Sequence, residues 1–146
     1  SMSSALPARA EAQAPTDMDI RAAYCLQVVG RSLRSERELL AEIPEGDPMK
    51  PLASQRVAKS EEVFDRLRSY VQPKIPYLDP FPLLAANKRA EADMAAVNPS
   101  LDACTSRCQI AKPNLSMDMA CLKRCTDGIP QLPRIQACHN PDWFPF

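Results

Sequence analysis

Apolar residues recur at three- and four-residue spacing along most of this chain, with little of the two-residue alternation that marks a strand. The first stripe is Ala22, Cys25 or Leu26, Val29, Leu33, Leu40 and Ile43. It predicts a helix capped by Thr16, with Asp17 and Asp19 in a first turn whose dipole favours carboxylates. Pro44, Gly46 and Pro48 end that helix, and Gly30 weakens its middle by about 1 kcal/mol relative to Ala while leaving room for a close helix crossing. A second stripe (Ala53, Val57, Ser60, Phe64, Leu67 and Val71) predicts an amphipathic core helix over 51–71. An alanine-rich third helix over 83–97 carries Ala85, Ala86, Ala90, Ala92, Ala95 and Ala96. Asn98-Pro99 is expected to stop it.

Shorter patterns follow. A fourth helix is predicted over 99–110, with Lys112-Pro113-Asn114 making a turn. A fifth spans 116–126, with Gly128 just past its end in the usual C′ position, and a turn or short helix covers 133–138. Prolines at 73, 76, 80 and 82 forbid a regular helix in the connector 73–82. Ile75, Tyr77, Leu78 and Phe81 make the connector too apolar for a free linker, so it is expected to lie packed along the helices. Its alternative is a polyproline-type ligand segment. The expected architecture is all-α: an irregular bundle of four to six helices in a single domain over 16–146. Residues 1–15 are expected to be a disordered leader, and Ser1-Met2 reads as a cloning remnant.

Composition narrows the function classes. Eighteen basic and eighteen acidic residues cancel in a chain of 146, which leaves no electrostatic footprint for nucleic acid or an anionic membrane surface. Arg31, Arg34 and Arg37 are interleaved with Glu36, Glu38 and Glu42, as on a solvated helix face. No apolar run has the length of a membrane span. Ala10-Glu-Ala12 and Ala12-Gln-Ala14 have the small-x-small form of signal-peptidase sites, consistent with a leader removed upstream.

The six cysteines carry the strongest signal. Cys104-Thr-Ser-Arg-Cys108 and Cys121-Leu-Lys-Arg-Cys125 are two C-x-x-x-C units. Residues four apart share a helix face. In an antiparallel hairpin the inner pair meets the inner pair and the outer pair the outer, which predicts Cys108–Cys121 and Cys104–Cys125. Cys25 and Cys138 remain to tie the first helix to the C-terminal segment. Bonds within one unit are disfavoured because the two side chains run parallel. Closing a loop of roughly 15 residues stabilises by about 3 kcal/mol in the chain-entropy model. Three disulfides imply an oxidising compartment, periplasmic or extracellular.

This doubled spacing resembles the twin cysteine motif of the small Tim chaperones of the mitochondrial intermembrane space, over about residues 104–125. In that family the inner and outer cysteines pair in the same way and the hairpin carries extended hydrophobic precursors. The resemblance therefore implies a stapled hairpin, and the intermembrane space as a second compartment. The chain departs from the family in the hundred or so residues before the motif, in Cys25 and Cys138, and in a proline-rich tail where a long helix stands.

Other chemistry is thin. The same four hairpin cysteines are the ligand set of an alternative four-thiolate zinc site, and Met117 and Met119 beside Cys121 suit Cu(I), although methionines at helical spacing usually pack in a core. His139, the only histidine, adjoins Cys138, but adjacent residues seldom form a nucleophile–base pair. No phosphate-cradling or hydrolase motif is present. Neither a cofactor nor a metal is expected. Trp143, Phe144 and Phe146 either fold back on the core or form an exposed binding patch. These observations favour a non-catalytic, disulfide-stapled, exported protein that binds a protein partner, with a metal-binding protein and an unrecognised enzyme as alternatives.

Overall fold

Thr16 and Asp19 start the first helix by capping each other: the Thr16 amide donates to Asp19 Oδ2 at 3.0 Å and the Asp19 amide to Thr16 Oγ1 at 3.1 Å. In a computed structural model that describes residues 11–110 and 116–146, Trp143 by its backbone alone, this box opens α1 (Asp17–Glu42). Gly46, at φ 86°, turns the chain into α2 (Met49–Val71). A 3-10 segment (Gln72–Tyr77) follows, and then α3 (Pro80–Cys108), capped by Asp79, whose Oδ1 accepts from the Phe81 amide at 3.0 Å.

α1 is the central helix, packed on both α2 and α3. It therefore buries two sides rather than one: Ala23, Tyr24 and Val28 join Ala22, Cys25, Val29 and Leu33 in the core. Leu40 and Ile43, on the predicted stripe, are only half-buried; Ile43 lines an open apolar groove with Met49 and Leu52 of α2. Gly30 marks the crossing with α2, where a β-carbon would stand 3.2 Å from Phe64 Cε2. Of the six alanines predicted on α3 only Ala86 and Ala90 are buried.

Asn98-Pro99 does not stop the third helix. α3 continues through Pro99 to Cys108, because Val97, Leu101, Cys104 and Cys108 extend one apolar stripe past it. Val97 and Cys104 belong to a second, smaller core with Ile129 and Leu132, against which Leu101, Leu122 and Ile135 pack. Pro99 has no N–H to donate, and Ser100 Oγ donates to the Ala96 carbonyl nearby at 3.1 Å.

The chain then forms a two-residue antiparallel ladder, β1 (Gln109–Ile110) with β2 (Ser116–Met117), in the register Gln109↔Met117 and Ile110↔Ser116. The ladder replaces the helical structure predicted at these positions. The Lys112-Pro113-Asn114 turn lies outside the described residues. α4 (Met119–Asp127), capped by Asp118, and α5 (Leu132–Ala137) complete the second core. Gly128 ends α4 at φ −82°, so it is not the left-handed C′ residue expected; its amide reaches back to the carbonyls of Cys125 and Thr126. A final 3-10 turn spans Pro141–Trp143. The fold is all-α apart from the short ladder, and no helix among the described residues is long and apolar enough to cross a membrane.

The expected leader 1–15 lies partly outside the described residues, which begin at Glu11. Gln13 is held in place: its amide donates to the Tyr77 carbonyl at 2.9 Å and the Asp79 amide to its carbonyl at 2.8 Å, a parallel bridge between Gln13 and Leu78. Two backbone bonds and the covered Leu78 hold this stretch against the connector.

Candidate functional site

The cysteines fall on facing helices. Cys104 and Cys108 occupy the last two turns of α3, Cys121 and Cys125 the body of α4, and each pair points at the other helix. Cys104 joins Cys125 across a Cα–Cα distance of 5.7 Å, and Cys108 joins Cys121 across 5.5 Å. Cys25 on α1 joins Cys138, just past α5, across 5.0 Å. No cysteine is free. A four-thiolate zinc site or a cysteine–methionine copper site needs reduced sulfur, and every cysteine here is in a disulfide. Met119 is exposed and Met117 half-buried in β2, so neither is a core methionine. Cys138 likewise offers no nucleophile to His139. Disulfides on this scale fit an oxidising compartment.

Two aromatics of the tail are docked. Phe144 is 4% exposed within the main core. Phe146 stacks on Tyr70 of α2, with ring centroids 3.8 Å apart and planes at 9°, and lies 5.4 Å from the Phe144 ring. Arg66 clamps the tail: its guanidinium donates to the carbonyls of Phe146, of Pro141 at 3.2 Å and of Phe144 at 3.4 Å. Phe144 and Phe146 are therefore structural, not an exposed binding patch. Three carbonyls offered to one planar donor hold them in place. The Trp143 side chain lies outside the described part of the structure.

His139 sits at a polar cleft of about 340 Å³ between α1 and α2, with Ser32, Glu36, Arg56, Lys59 and Ser60. Burial holds its imidazole below the usual histidine range, against the opposing pull of the Glu36 charge. Ser32 Oγ is 3.5 Å from His139 Nε2, at the long limit of a hydrogen bond. Glu36 is one turn from Ser32 on the same helix, and its buried Oε2 takes no hydrogen bond from the described residues.

The connector departs most from expectation. Leu78 is buried, but Tyr77 is 69% and Phe81 76% exposed, and Ile75 and Leu84 stand about half out of the surface. Lys74 fixes the connector's backbone while its apolar side chains face solvent. Its ammonium donates to Asp19 Oδ1 at 3.2 Å and lies 3.6 Å from the Tyr70 ring centroid. Burial alone would raise the Asp19 carboxyl; hydrogen bonds from the Thr16 amide, Lys74, the Thr16 hydroxyl and Tyr70 outweigh it and hold the group below the usual carboxylate range. The result is a groove of about 770 Å³ beside the extended residues 11–13, walled by Ile75, Pro76, Tyr77, Leu78 and Pro80. A second exposed apolar group, Leu39, Met49 and Leu52, lies at the other end of α1. The sequence carried this groove in the apolar spacing of 73–82, but the same residues read equally well as packed.

No family model, no curated protein and no solved structure matches this chain.

Proposed function

We propose that this chain is a non-catalytic binding protein of an oxidising compartment, periplasmic or secreted, that holds an extended apolar segment of a partner protein against the connector end of its helical bundle. One observation carries the reading: Ile75, Tyr77, Phe81 and Leu84 are exposed within a ten-residue span, beside a groove edge where the chain's own Gln13 lies extended with both backbone groups bonded. The site thus already pairs one residue of the chain, Gln13, in a parallel bridge and leaves apolar surface beside it, a start on the combination used in strand-addition recognition. An exposed cluster of large apolar side chains is costly to a soluble protein unless something covers it. The cysteine spacing lends support, since the hairpins it resembles carry hydrophobic precursors. Among the described residues the connector exposes more large apolar side chains than the hairpin, where Ile110 and Met119 are exposed. The mitochondrial intermembrane space is the alternative compartment.

A fluorescein-labelled decapeptide of leucine and valine with charged ends tests this by fluorescence polarisation. Each large side chain buried on binding contributes about 1.5–3 kcal/mol. Y77S and F81S should therefore each weaken binding by about tenfold or more, while L39S, at the far end of α1, leaves it unchanged. Equal affinity in all three variants, or no saturable binding by the wild-type protein, contradicts the proposal.

A further inference from the structure

At the end of the bundle away from the connector, Leu39 of α1 and Met49 and Leu52 of α2 are each more than half exposed. With Ile43 they line an open groove of about 470 Å³ beside the turn that joins the two helices. The main core draws on α1 only as far as Val29 and on α2 only from Val63, so these residues, nearer the turn, are not part of it. Large apolar side chains grouped in this way on a surface are costly unless something covers them.

The charges beside this groove are ordered along it. Residues three and four apart share a helix face. Glu42, three past Leu39, therefore stands on the turn side of the groove. Arg56, four past Leu52 on the helix that runs the other way, stands on the body side and lines the groove itself. Among the described residues neither makes an ion pair, whereas their neighbours do: Arg37 with Glu61 at 3.0 Å and Lys50 with Glu45 at 2.6 Å. At about 1.5 Å per residue, Glu42 lies about 4.5 Å beyond Leu39 and Arg56 about 6 Å beyond Leu52, in opposite directions. A two-fold axis through the groove between Leu39 and Leu52 thus lays α1 of one copy on α2 of another. It sets Leu39 on the partner's Leu52 and Glu42 level with the partner's Arg56. The same operation brings Glu36, three before Leu39, level with the partner's Met49, three before Leu52. Glu36 Oε2 accepts no hydrogen bond from the described residues. Met49 opens the first turn of α2, which holds no acidic residue and whose dipole favours a carboxylate.

We propose that this face associates with a second copy of the chain, in a two-fold dimer whose α1 and α2 ends form an antiparallel four-helix contact. The apolar match, the Glu42–Arg56 match and the Glu36–Met49 match all follow from one operation and each occurs twice, as an isologous contact requires. That self-complementarity commits the face to its own copy rather than to an unrelated apolar partner. The face is small beside the roughly 20–30 residues a side of a standard interface, so the dimer is weak, with Kd on the order of 10–100 µM. The proposal does not rest on the connector groove, and F81S should dimerise as the wild-type protein does.

Sedimentation equilibrium of the full, disulfide-bonded chain, from about 10 µM to about 1 mM to bracket that Kd, tests it. The wild-type protein should pass from monomer to dimer and no further. L52D places a charge on the partner's Leu39 and should weaken dimerisation by at least about tenfold. E42R and R56E each turn two attractive pairs into two repulsive ones and should weaken it by about fivefold. The double variant E42R/R56E exchanges the charges, so it should return to within about twofold of wild type. Leu52, Glu42 and Arg56 are exposed in the single chain, so each variant should keep the wild-type urea midpoint at a concentration where all are monomeric. A monomer throughout, a dimer that L52D leaves unchanged, or a charge exchange that fails to restore association would overturn the proposal. Dissociation by F81S with L52D unaffected would overturn it in favour of the connector as the contact between copies.

Discussion

At the scale of single residues, His139 gives the clearest pH dependence of stability. Its imidazole is held below the ordinary value of 6.5, mainly by burial. The groups that face it are Ser32 and Glu36 from α1 and Arg56, Lys59 and Ser60 from α2. Above about pH 6.5 the ring is neutral in both folded and unfolded chains and contributes nothing to pH dependence. As pH falls through that value the unfolded chain takes up the proton first, so stability drops until the folded-state pKa is passed. The urea midpoint of the wild-type protein should therefore fall between about pH 7 and pH 5 more steeply than that of H139Q. Parallel profiles would show that the ring is solvated in the folded state. Nothing in the chain's pattern announced this role, because His139 meets Ser32 and Glu36 across more than a hundred residues. The Thr16 cap was legible, since its partner Asp19 is three residues away and needs no tertiary fold.

At the scale of elements, local rules served where packing agreed with them and failed where it did not. Asn98-Pro99 reads as a helix stop, yet α3 runs through it. A proline inside a helix costs about 3 kcal/mol, and the second core offsets that cost by burying Val97 before it and Cys104 beyond it on one face. P99A should raise stability by about 1 kcal/mol or more, since it restores an N–H and relieves the ring clash. A lower midpoint for P99A would mean that the proline shapes α3 for its contact with α4. The connector failed in the opposite sense. Four prolines did exclude an α-helix, but they left a 3-10 turn whose apolar side chains face outward while Lys74 alone reaches back to Asp19 and Tyr70. Burial of Tyr24 and Val28 was equally hidden, because a single helix does not reveal that it will lie between two others. The β1–β2 ladder is too short for any periodicity to register.

At the scale of the whole molecule, two cores are joined by covalent bonds. The larger holds α1, α2 and α3 with Cys138 and the docked Phe144; the smaller holds the end of α3 with α4 and α5, and Ile135 packs against both. Cys25–Cys138 closes a separation of 113 residues, a crosslink worth about 4.7 kcal/mol in the chain-entropy model. The hairpin bonds are nested, at separations of 21 and 13. Once the inner one has formed, the outer one closes only a few further residues, so their contributions are less than additive. The spacing of four within each C-x-x-x-C unit made this staple readable, because two thiols one turn apart must face the same neighbour. The docking of the tail was not readable, since it depends on Arg66 and Tyr70 of a distant helix. The claim on which the compartment and the architecture rest is the identity of the three crosslinks. Peptide mapping by mass spectrometry of the non-reduced, alkylated protein tests it most directly. The account predicts linked peptides containing Cys25 with Cys138, Cys104 with Cys125 and Cys108 with Cys121, and no alkylated cysteine. Six alkylated cysteines, or Cys104 linked to Cys108, would contradict it.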